Sequence, residues 1–261
     1  MPESTRGAEP RIRSVTGLWL GRRRYAPTYA LQCELFEARK RGELGDVILC
    51  LEHEPVITLG RGARPEHLLA GRAELAARGI DVVETDRGGE ITLHAPGQLV
   101  CYPILGLAPD RCDVRRYVGD LTATMRALIE PYGIQAGEIA GLVGVWVDSA
   151  RREHWTGPSE ARAPQKIGAV GVRLSRWVSM HGFALNLDPD LGLFRLIVPC
   201  GVTEYGVCSL ASLGATPPVV RDLAPVAYQT LIARLGAQAH GFLDASAIAL
   251  PELLGWLRGR Q

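Results

Sequence analysis

Cys200 is the side chain that the sequence places best for covalent chemistry. It stands between Pro199 and Gly201 in the stretch IVPCG, at the end of an apolar run. A nucleophile on such a sharp bend is exposed and lies near free backbone amides. A lone cysteine is more commonly a small buried hydrophobic residue, so the position alone leaves both interpretations open. We expect the buried role for four other cysteines: Cys33, Cys50, Cys101 and Cys112.

Lys166 is the second candidate, because lysine is rare in this chain. All but two of the 29 basic residues are arginines. Lys40 lies at a solvated helix end, where either basic residue would serve, whereas Lys166 leads into the apolar segment KIGAVGV. A partly buried lysine can lose its proton and an arginine cannot. Lys166 is therefore a candidate for chemistry, and the alternative is an ordinary charge at a strand edge.

Two glycine-rich regions are candidates for a ligand site. In DRGGEITLHAPGQLVCY, two glycines follow Arg87 and allow backbone to approach a ligand closely. His94 ends a β-rich run in the same region, and an ordinary hairpin with a hydrogen-bonded histidine explains the pattern equally well. In the second region, Gly168, Gly171 and Gly182 fall in predicted strands. Glycine weakens a strand, so three of them indicate close approach by either a ligand or another packed element.

The elements that must position these residues alternate between helix and strand. Helices are predicted over 26–41, over 66–78 and from Asp113 to about Pro131. Two or three more helices are predicted from Arg221 onward. Strands are predicted over 47–52, 56–59, 82–84, 91–94, 99–104, 143–147, 167–174 and 177–187. The last two strands form a hairpin, and strand periodicity places His181 on the same face as Phe183.

This pattern predicts an α+β fold with a mixed α/β sheet in a single domain. We expect a flexible tail over residues 1–14 and one catalytic domain over 15–261. Within that domain we expect an exposed loop over 148–165, rich in Arg, Pro, Ser and Gly, and C-terminal helices over 221–261.

Composition and missing motifs exclude several classes of protein. With 47% hydrophobic and 22% charged residues, the 261-residue chain is not a disordered, collagen-like or coiled-coil protein. Basic and acidic residues balance at 29 and 28, so nothing global points to nucleic acid or a membrane surface. No secretory signal is evident, and we expect a cytoplasmic protein with reduced thiols. There is no GxxxxGK[ST], GxGxxG, HExxH or GxSxG, and no metal site is expected.

Four segments, taken together and in this order, resemble the lipoate-protein ligase B family, the octanoyl-[acyl-carrier-protein]–protein octanoyltransferases. They are LEHEPVITLGR, RGGEITLHAPGQLVCYPIL, KIGAVGVRLSRWVSMHGFALNL and IVPCGV, within about 51–210. The family departs from this chain at Ala95, where it usually has glycine, and at Glu54, where it usually has proline. The loop over 148–165 is also longer than usual.

The resemblance implies one catalytic domain with the fold of biotin and lipoate ligases. It implies transfer of an octanoyl group from acyl carrier protein to a lysine of lipoyl domains in 2-oxo-acid dehydrogenase complexes and of glycine cleavage H protein. Cys200 would carry the acyl group as a thioester, with Lys166 as its partner, either as a cation that lowers the thiol pKa or as a general base. No cofactor besides the octanoyl thioester, and no nucleic acid or membrane, is implied.

The resemblance also implies a substrate cleft. Its expected lining is Arg87, Gly88, Gly89, Glu90, Ile91, Thr92, Leu93, His94, Ala169, Val170, Gly171, Gly182, Phe183 and Ala184. We expect the small residues Gly168, Gly171, Gly182 and Ala184 to leave room for the acyl chain. The alternatives are an ATP-dependent lipoate or biotin ligase, which needs no nucleophilic cysteine, and a non-catalytic module that binds lipoyl domains. The presence of both Cys200 and Lys166 weighs against the second.

Overall fold

The computed structural model describes residues 13–198 and 205–260. Most of the predicted N-terminal tail and the segment that contains Cys200 lie outside the described residues. The helices in the described ranges are α1 (Tyr25–Lys40), α2 (Arg72–Ala77), α3 (Val114–Ile129), α4 (Val220–Arg234) and α5 (Leu253–Arg258).

The described strands form one large mixed sheet and one small sheet. They are β1 (Ser14–Arg23), β2 (Asp46–His53), β3 (Val56–Leu59), β4 (Asp81–Glu84), β5 (Ile91–His94), β6 (Gln98–Ile104), β7 (Gly137–Ile139), β8 (Leu142–Asp148), β9 (Pro164–Ser175), β10 (Val178–Asn186), β11 (Gly206–Val207) and β12 (Gln238–Asp244). The large sheet has the order β12-β1-β2-β6-β10-β9-β8-β7, with β11 beside β9, and the small sheet has the order β4-β3-β5. Strand β1 pairs in parallel with β2 and β12, whereas β6, β10, β9 and β8 pair antiparallel. The mixed sheet predicted from sequence is confirmed.

Helices cover both faces of the large sheet. Leu121 and Met125 of α3 and Leu223 of α4 belong to the core on one face. Leu35 of α1 and Leu253 of α5 belong to the core on the other. Strands β2 and β10 are buried along almost their whole length because side chains on both of their faces meet helices. None of the described helices is long and apolar enough to cross a bilayer.

Two helix predictions are wrong. The predicted helix over 66–78 is a 3-10 turn at Pro65–His67 followed by α2, because the amides of Leu69 and Ala70 donate to the carbonyl of Leu196 instead of continuing a helix. In the C-terminal region predicted as helical, β12 separates α4 from α5. It adds to the edge of β1, where Phe242 packs on Tyr228 of α4 with ring centroids 5.5 Å apart.

The predicted alternation along β10 is also wrong at His181. Pro103 of the neighbouring β6 has no N–H to give to a ladder, and the register of the two strands is regular only from Phe183 to Asn186. His181 adopts a φ of 58°. Its ring therefore stacks on Tyr29 of α1, with centroids 5.6 Å apart, whereas Phe183 packs in the α3–α4 core.

The cysteines also divide differently from the prediction. Cys50 and Cys101 are buried as a cross-strand pair of β2 and β6, with sulfurs 3.4 Å apart. Cys33 is half-buried and Cys112 is exposed, so the buried role predicted for Cys112 is wrong. Cys112 lies in the turn that leads into α3, outside the packed layers.

Asp148 organises the segment between β8 and β9, which is residues 149–163. The predicted loop is shorter than 148–165 because its ends belong to these strands. The buried Asp148 carboxylate accepts hydrogen bonds from the amides of Ala150, Arg162 and Ala163 and from Nε of Arg151, at 3.0–3.2 Å. Burial acts to raise the pKa of this carboxyl, but the donors favour the anion and hold the pKa at about 2.

We therefore expect Asp148→Asn to loosen this segment. The amide would place its own N–H groups opposite N–H donors that now bond to the carboxylate. We expect this to lower the free energy of unfolding by about 2 kcal/mol. Tryptic cleavage at Arg151, Arg152 and Arg162 should become faster. Because the folded pKa lies below that of an ordinary aspartate, the contribution of Asp148 is present above about pH 4 and is lost as the pH falls toward 2.

The matched control is Glu153→Gln, which removes an exposed acid from the same segment. Denaturant unfolding and limited proteolysis of the two variants give the comparison. Equal behaviour of the two variants would show that Asp148 does not hold the segment.

Candidate active site

A cavity of about 280 Å³ opens between the two sheets. Its walls come from the segment around β5, from β9 and β10, from the turn before β8, and from the start of α1. The residues that line it are Tyr25, Arg87, Gly89, Glu90, Ile91, Thr92, His94, Tyr102, Gly141, Leu142, Val143, Lys166, Ala169, Val170, Gly171, His181, Gly182, Phe183 and Ala184.

The structure brings the sequence-predicted cleft residues to this cavity except for Gly88 and Leu93. The amide of Gly88 donates to the carbonyl of Val172 at 2.9 Å, so this glycine ties the loop to β9. Leu93 packs into the core under the small sheet and borders a smaller cavity that Lys166 and Ala184 also line.

Sequence reasoning did not identify several lining residues. Tyr25 and Tyr102 come from α1 and β6, and Leu142 and Val143 come from the start of β8. The sequence contains no local signal for them, because their positions follow from how the sheets and α1 meet. His181 carried a signal, since it lies in the HGFALN stretch beside predicted cleft residues.

Lys166 lies on β9 with only 6% of its surface exposed. Its Nζ donates to the carbonyl of Val143 at 3.1 Å and lies 4.6 Å from the centre of the Trp146 ring. Gly144, with a φ of 140°, lets the lysine stem pass, because a Cβ there would lie 3.1 Å from Cε of Lys166. A carbonyl oxygen and an aromatic face both stabilise a positive charge.

Cys200 lies outside the described residues, but the chain is anchored on both sides of its segment, and on the C-terminal side the anchor lies at Lys166. Before it, the amide of Val198 donates to the carbonyl of His67 at 2.8 Å. After it, Tyr205 meets the Trp146 ring edge-on at 5.4 Å, and Val207 of β11 pairs with Lys166 of β9.

His94 is held by a chain of hydrogen bonds that fixes its tautomer. Asn186 Nδ2 donates to the carbonyl of Cys208 at 2.9 Å, and Gln98 Nε2 donates to Asn186 Oδ1 at 3.0 Å and to the carbonyl of Leu93 at 3.1 Å. Gln98 Oε1 is then the acceptor for His94 Nδ1, 3.1 Å away. The proton therefore lies on Nδ1, and Nε2 carries a lone pair.

His53 and Tyr102 form a second fixed pair beside the cavity. His53 Nδ1 lies 3.0 Å from the carbonyl of Arg23, to which it must donate, so the Tyr102 hydroxyl donates to Nε2 at 2.9 Å. Burial lowers the pKa of His53 to about 4. Burial, together with the nearby His53 and Arg87, holds the pKa of His94 well below its usual value. His94, which lines the cavity, and its neighbour His53 are therefore both neutral at physiological pH.

Arg87 and Asp86 connect the glycine-rich segment 86–90 to the small and the large sheet. The buried Arg87 guanidinium donates to Thr58, from Nη2 to the carbonyl at 2.8 Å and from Nη2 and Nε to the hydroxyl at 2.9 and 3.2 Å. Asp86 accepts from His181 Nε2 at 3.0 Å and forms an ion pair with Arg173. The hydrogen bond from His181 lowers the pKa of the Asp86 carboxyl. Arg87 thus places a positive charge in the cavity wall.

The three strand glycines make room for protein rather than for a ligand. A Cβ at Gly168 would lie 2.6 Å from Sδ of Met125, and one at Gly171 would lie 2.9 Å from the carbonyl of Gly88. At Gly182 a Cβ would overlap the carbonyl of Cys101 and lie 2.6 Å from Cδ of Pro103. The expectation that these glycines open space for an acyl chain is wrong, and the other packed element explains them. Ala169 and Ala184 also line the cavity.

The chain is similar in sequence to known proteins of one family. The model of the lipoyl protein ligase A/B catalytic domain matches residues 24–232. An octanoyltransferase of Chloroflexus aurantiacus is 48% identical over 227 residues, which cover 86% of this chain and 94% of the relative. One from Chloroflexus aggregans is 48% identical over 210 residues, 80% of this chain and 89% of the relative. The resemblance drawn from the sequence is confirmed.

Among solved structures, a bipartite lipoate protein ligase from Thermoplasma acidophilum has a TM-score of 0.65. It is 14% identical, and the match covers 95% of this chain and 93% of that one. At this identity the likeness establishes the fold, and the predicted relation to the lipoate ligase fold is confirmed.

We expect Gly182→Ala to destabilise the protein by about 3 kcal/mol, because backbone of β6 occupies the place of the new Cβ. Chemical denaturation measures this loss. Gly119→Ala in α3 is the control. A Cβ there meets nothing within 4 Å, and alanine should leave stability unchanged or raise it by about 1 kcal/mol. Unchanged stability of Gly182→Ala would instead mean that the glycine leaves space for a ligand.

Proposed function

Because the chain belongs to the lipoyl protein ligase A/B catalytic domain family, we propose that it is an octanoyltransferase. It takes the octanoyl group from octanoyl-acyl carrier protein, holds it as a thioester on Cys200, and passes it to a lysine. The acceptors are lipoyl domains of 2-oxo-acid dehydrogenase complexes and glycine cleavage H protein. The reaction uses no cofactor, since the donor thioester supplies the driving force.

The position of Lys166 is the observation that carries this proposal. Lys166 lines the cavity, and two contacts of its amine, the Val143 carbonyl and the Trp146 ring face, both stabilise a positive charge. Tyr205, which follows the Cys200 segment, packs on the same Trp146 ring. A cationic amine next to a thiol favours the thiolate, which is the reactive form of cysteine. We therefore assign Lys166 first as the cation that keeps the Cys200 sulfur anionic.

The cavity suits an apolar chain next to a reactive carbonyl. Ile91, Leu142, Val170 and Phe183 provide apolar walls, and a volume of about 280 Å³ is small for a ligand site. Burial of each CH₂ group contributes about 0.8 kcal/mol, so an octanoyl chain gains several kcal/mol. This gain is large enough to select for chain length.

Two acyl transfers then follow. In the first, the Cys200 thiolate attacks the donor carbonyl carbon, a new C–S bond forms, and the donor thiolate leaves and takes up a proton. In the second, the acceptor amine attacks the same carbon, a C–N bond forms, and the C–S bond to Cys200 breaks. The proton that the nitrogen loses returns to sulfur, and Lys166 lies near enough to the cavity to relay it. The first exchange is nearly balanced in free energy, and amide formation makes the second strongly favourable.

We expect incubation with octanoyl-acyl carrier protein alone to add one octanoyl group to the intact protein. Mass spectrometry should show an adduct that hydroxylamine removes and that Cys200→Ser abolishes. Cys112→Ser, which changes an exposed cysteine, is the control and should retain the adduct. A hydroxylamine-stable adduct, or none, would argue against a thioester on Cys200. If transfer instead needs ATP and free octanoate, the ligase alternative is correct.

We expect Lys166→Met to raise the pKa of the Cys200 thiol by about one unit or more, because an opposite charge is removed. The pH dependence of iodoacetamide alkylation, followed by intact mass, measures this shift. Acyl-enzyme formation at neutral pH should fall by about tenfold or more. Lys40→Met, which changes the other lysine, should leave both measurements at the wild-type value. An alkylation profile that does not move would leave Lys166 only the role of proton relay.

A further inference from the structure

His94 offers the cavity a hydrogen-bond acceptor that the protein does not use. The chain from the Cys208 carbonyl through Asn186 and Gln98 places the proton on Nδ1 of His94. Within residues 13–198 and 205–260, the hydrogen bond of the His94 side chain is the one at Nδ1, and His94 lines the cavity. The ring itself cannot turn freely, since it is 94% buried and stacks on Tyr25 with an interplanar angle of 8°. A residue of the cavity lining therefore holds a lone pair on Nε2 in a ring of fixed orientation.

The reactants supply few groups that could meet this lone pair. An octanoyl chain, a thioester oxygen and a thioester sulfur have no hydrogen to donate. The acceptor lysine donates from its amine, which is the group that attacks the reacting carbon. An attacking amine must be neutral and must direct its own lone pair at the carbonyl carbon. A neutral acceptor at its N–H achieves this orientation, whereas a cation would repel the substrate ammonium.

We propose that His94 Nε2 accepts an N–H hydrogen bond from the incoming lysine amine and orients it for attack on the acyl thioester. This inference rests on the proposed octanoyl transfer. As the C–N bond forms and the C–S bond breaks, the proton released by nitrogen goes to the departing sulfur, and His94 is left unchanged. Gln98 and Asn186 act as positioning residues, since they fix which nitrogen of His94 is free.

The two half-reactions separate this role from a structural one. His94→Asn keeps a polar group near the Nδ1 position, within reach of Gln98, but offers nothing at Nε2. His94→Gln places an amide near the Nε2 position and gives up the contact with Gln98. Each variant is charged with octanoyl-acyl carrier protein, freed of donor, and mixed with a lipoyl-domain acceptor. Intact mass then follows first the gain and then the loss of the octanoyl group.

We expect His94→Asn to form the acyl-enzyme within about threefold of the wild-type rate and to transfer it about 100-fold more slowly. His94→Gln should recover transfer to within about tenfold of wild type. His240→Asn, at an exposed histidine, is the control. Three outcomes would each overturn the inference. They are a wild-type rate of transfer in His94→Asn, a rate of transfer in His94→Gln below that of His94→Asn, and a defect that affects only formation of the acyl-enzyme. No adduct on the wild-type protein would instead overturn the proposed function, and this inference with it.

A measurement on the unaltered protein guards against variants that do not fold. Nitrogen-15 NMR of labelled histidine distinguishes the two neutral tautomers. We expect the Nδ1–H form at His94, with an Nε2 shift that moves when the acceptor domain is added to the acyl-enzyme. The Nε2–H form would make His94 a donor and would exclude the proposed role.

Discussion

Lys166 brings an amine into a position that is almost closed to water, where an unpartnered charge would be costly. The Val143 carbonyl and the Trp146 ring face compensate for the lost water. Both come from β8, and the register between β8 and β9 shifts between Val145 and Trp146, so that Trp146 stands opposite Lys166. The irregular start of β8, including the positive φ of Gly144, is thus the local structure that this one side chain requires.

The rest of the cavity wall complements that charge with neutral groups. His94 and Tyr102 of the wall are buried, as is His53 beside them; His94 bonds to the Gln98 amide, and His53 bonds to the Arg23 carbonyl and the Tyr102 hydroxyl. Burial disfavours protonation of both imidazoles. These groups can therefore accept hydrogen bonds without adding positive charge, whereas Lys166 and Arg87 place positive charge in the cavity lining.

The glycines of β9 and β10 show how tightly the cavity is built. Gly171 lets β9 approach the segment 86–90, and Gly182 lets β10 approach β6, more closely than a side chain at either position would permit. The bend at His181 has a related cause, since Pro103 interrupts the ladder beside it. These features hold the cavity walls at fixed distances, because close-packed backbone leaves little room for them to move.

The sequence by itself determined the mixed sheet and most of its strands, because apolar periodicity is a local signal, and it determined the family through four motif segments. It marked Lys166 as a candidate for chemistry, because lysine is rare in this chain. It also marked the segments around Arg87, Ala169 and Phe183, which line the cavity. The tertiary structure alone decided that Tyr25, Tyr102 and Val143 join them, that His181 turns toward α1, and that the glycines receive protein atoms. It also decided which nitrogen of His94 is free. These depend on contacts between residues distant in the chain, which no local pattern encodes.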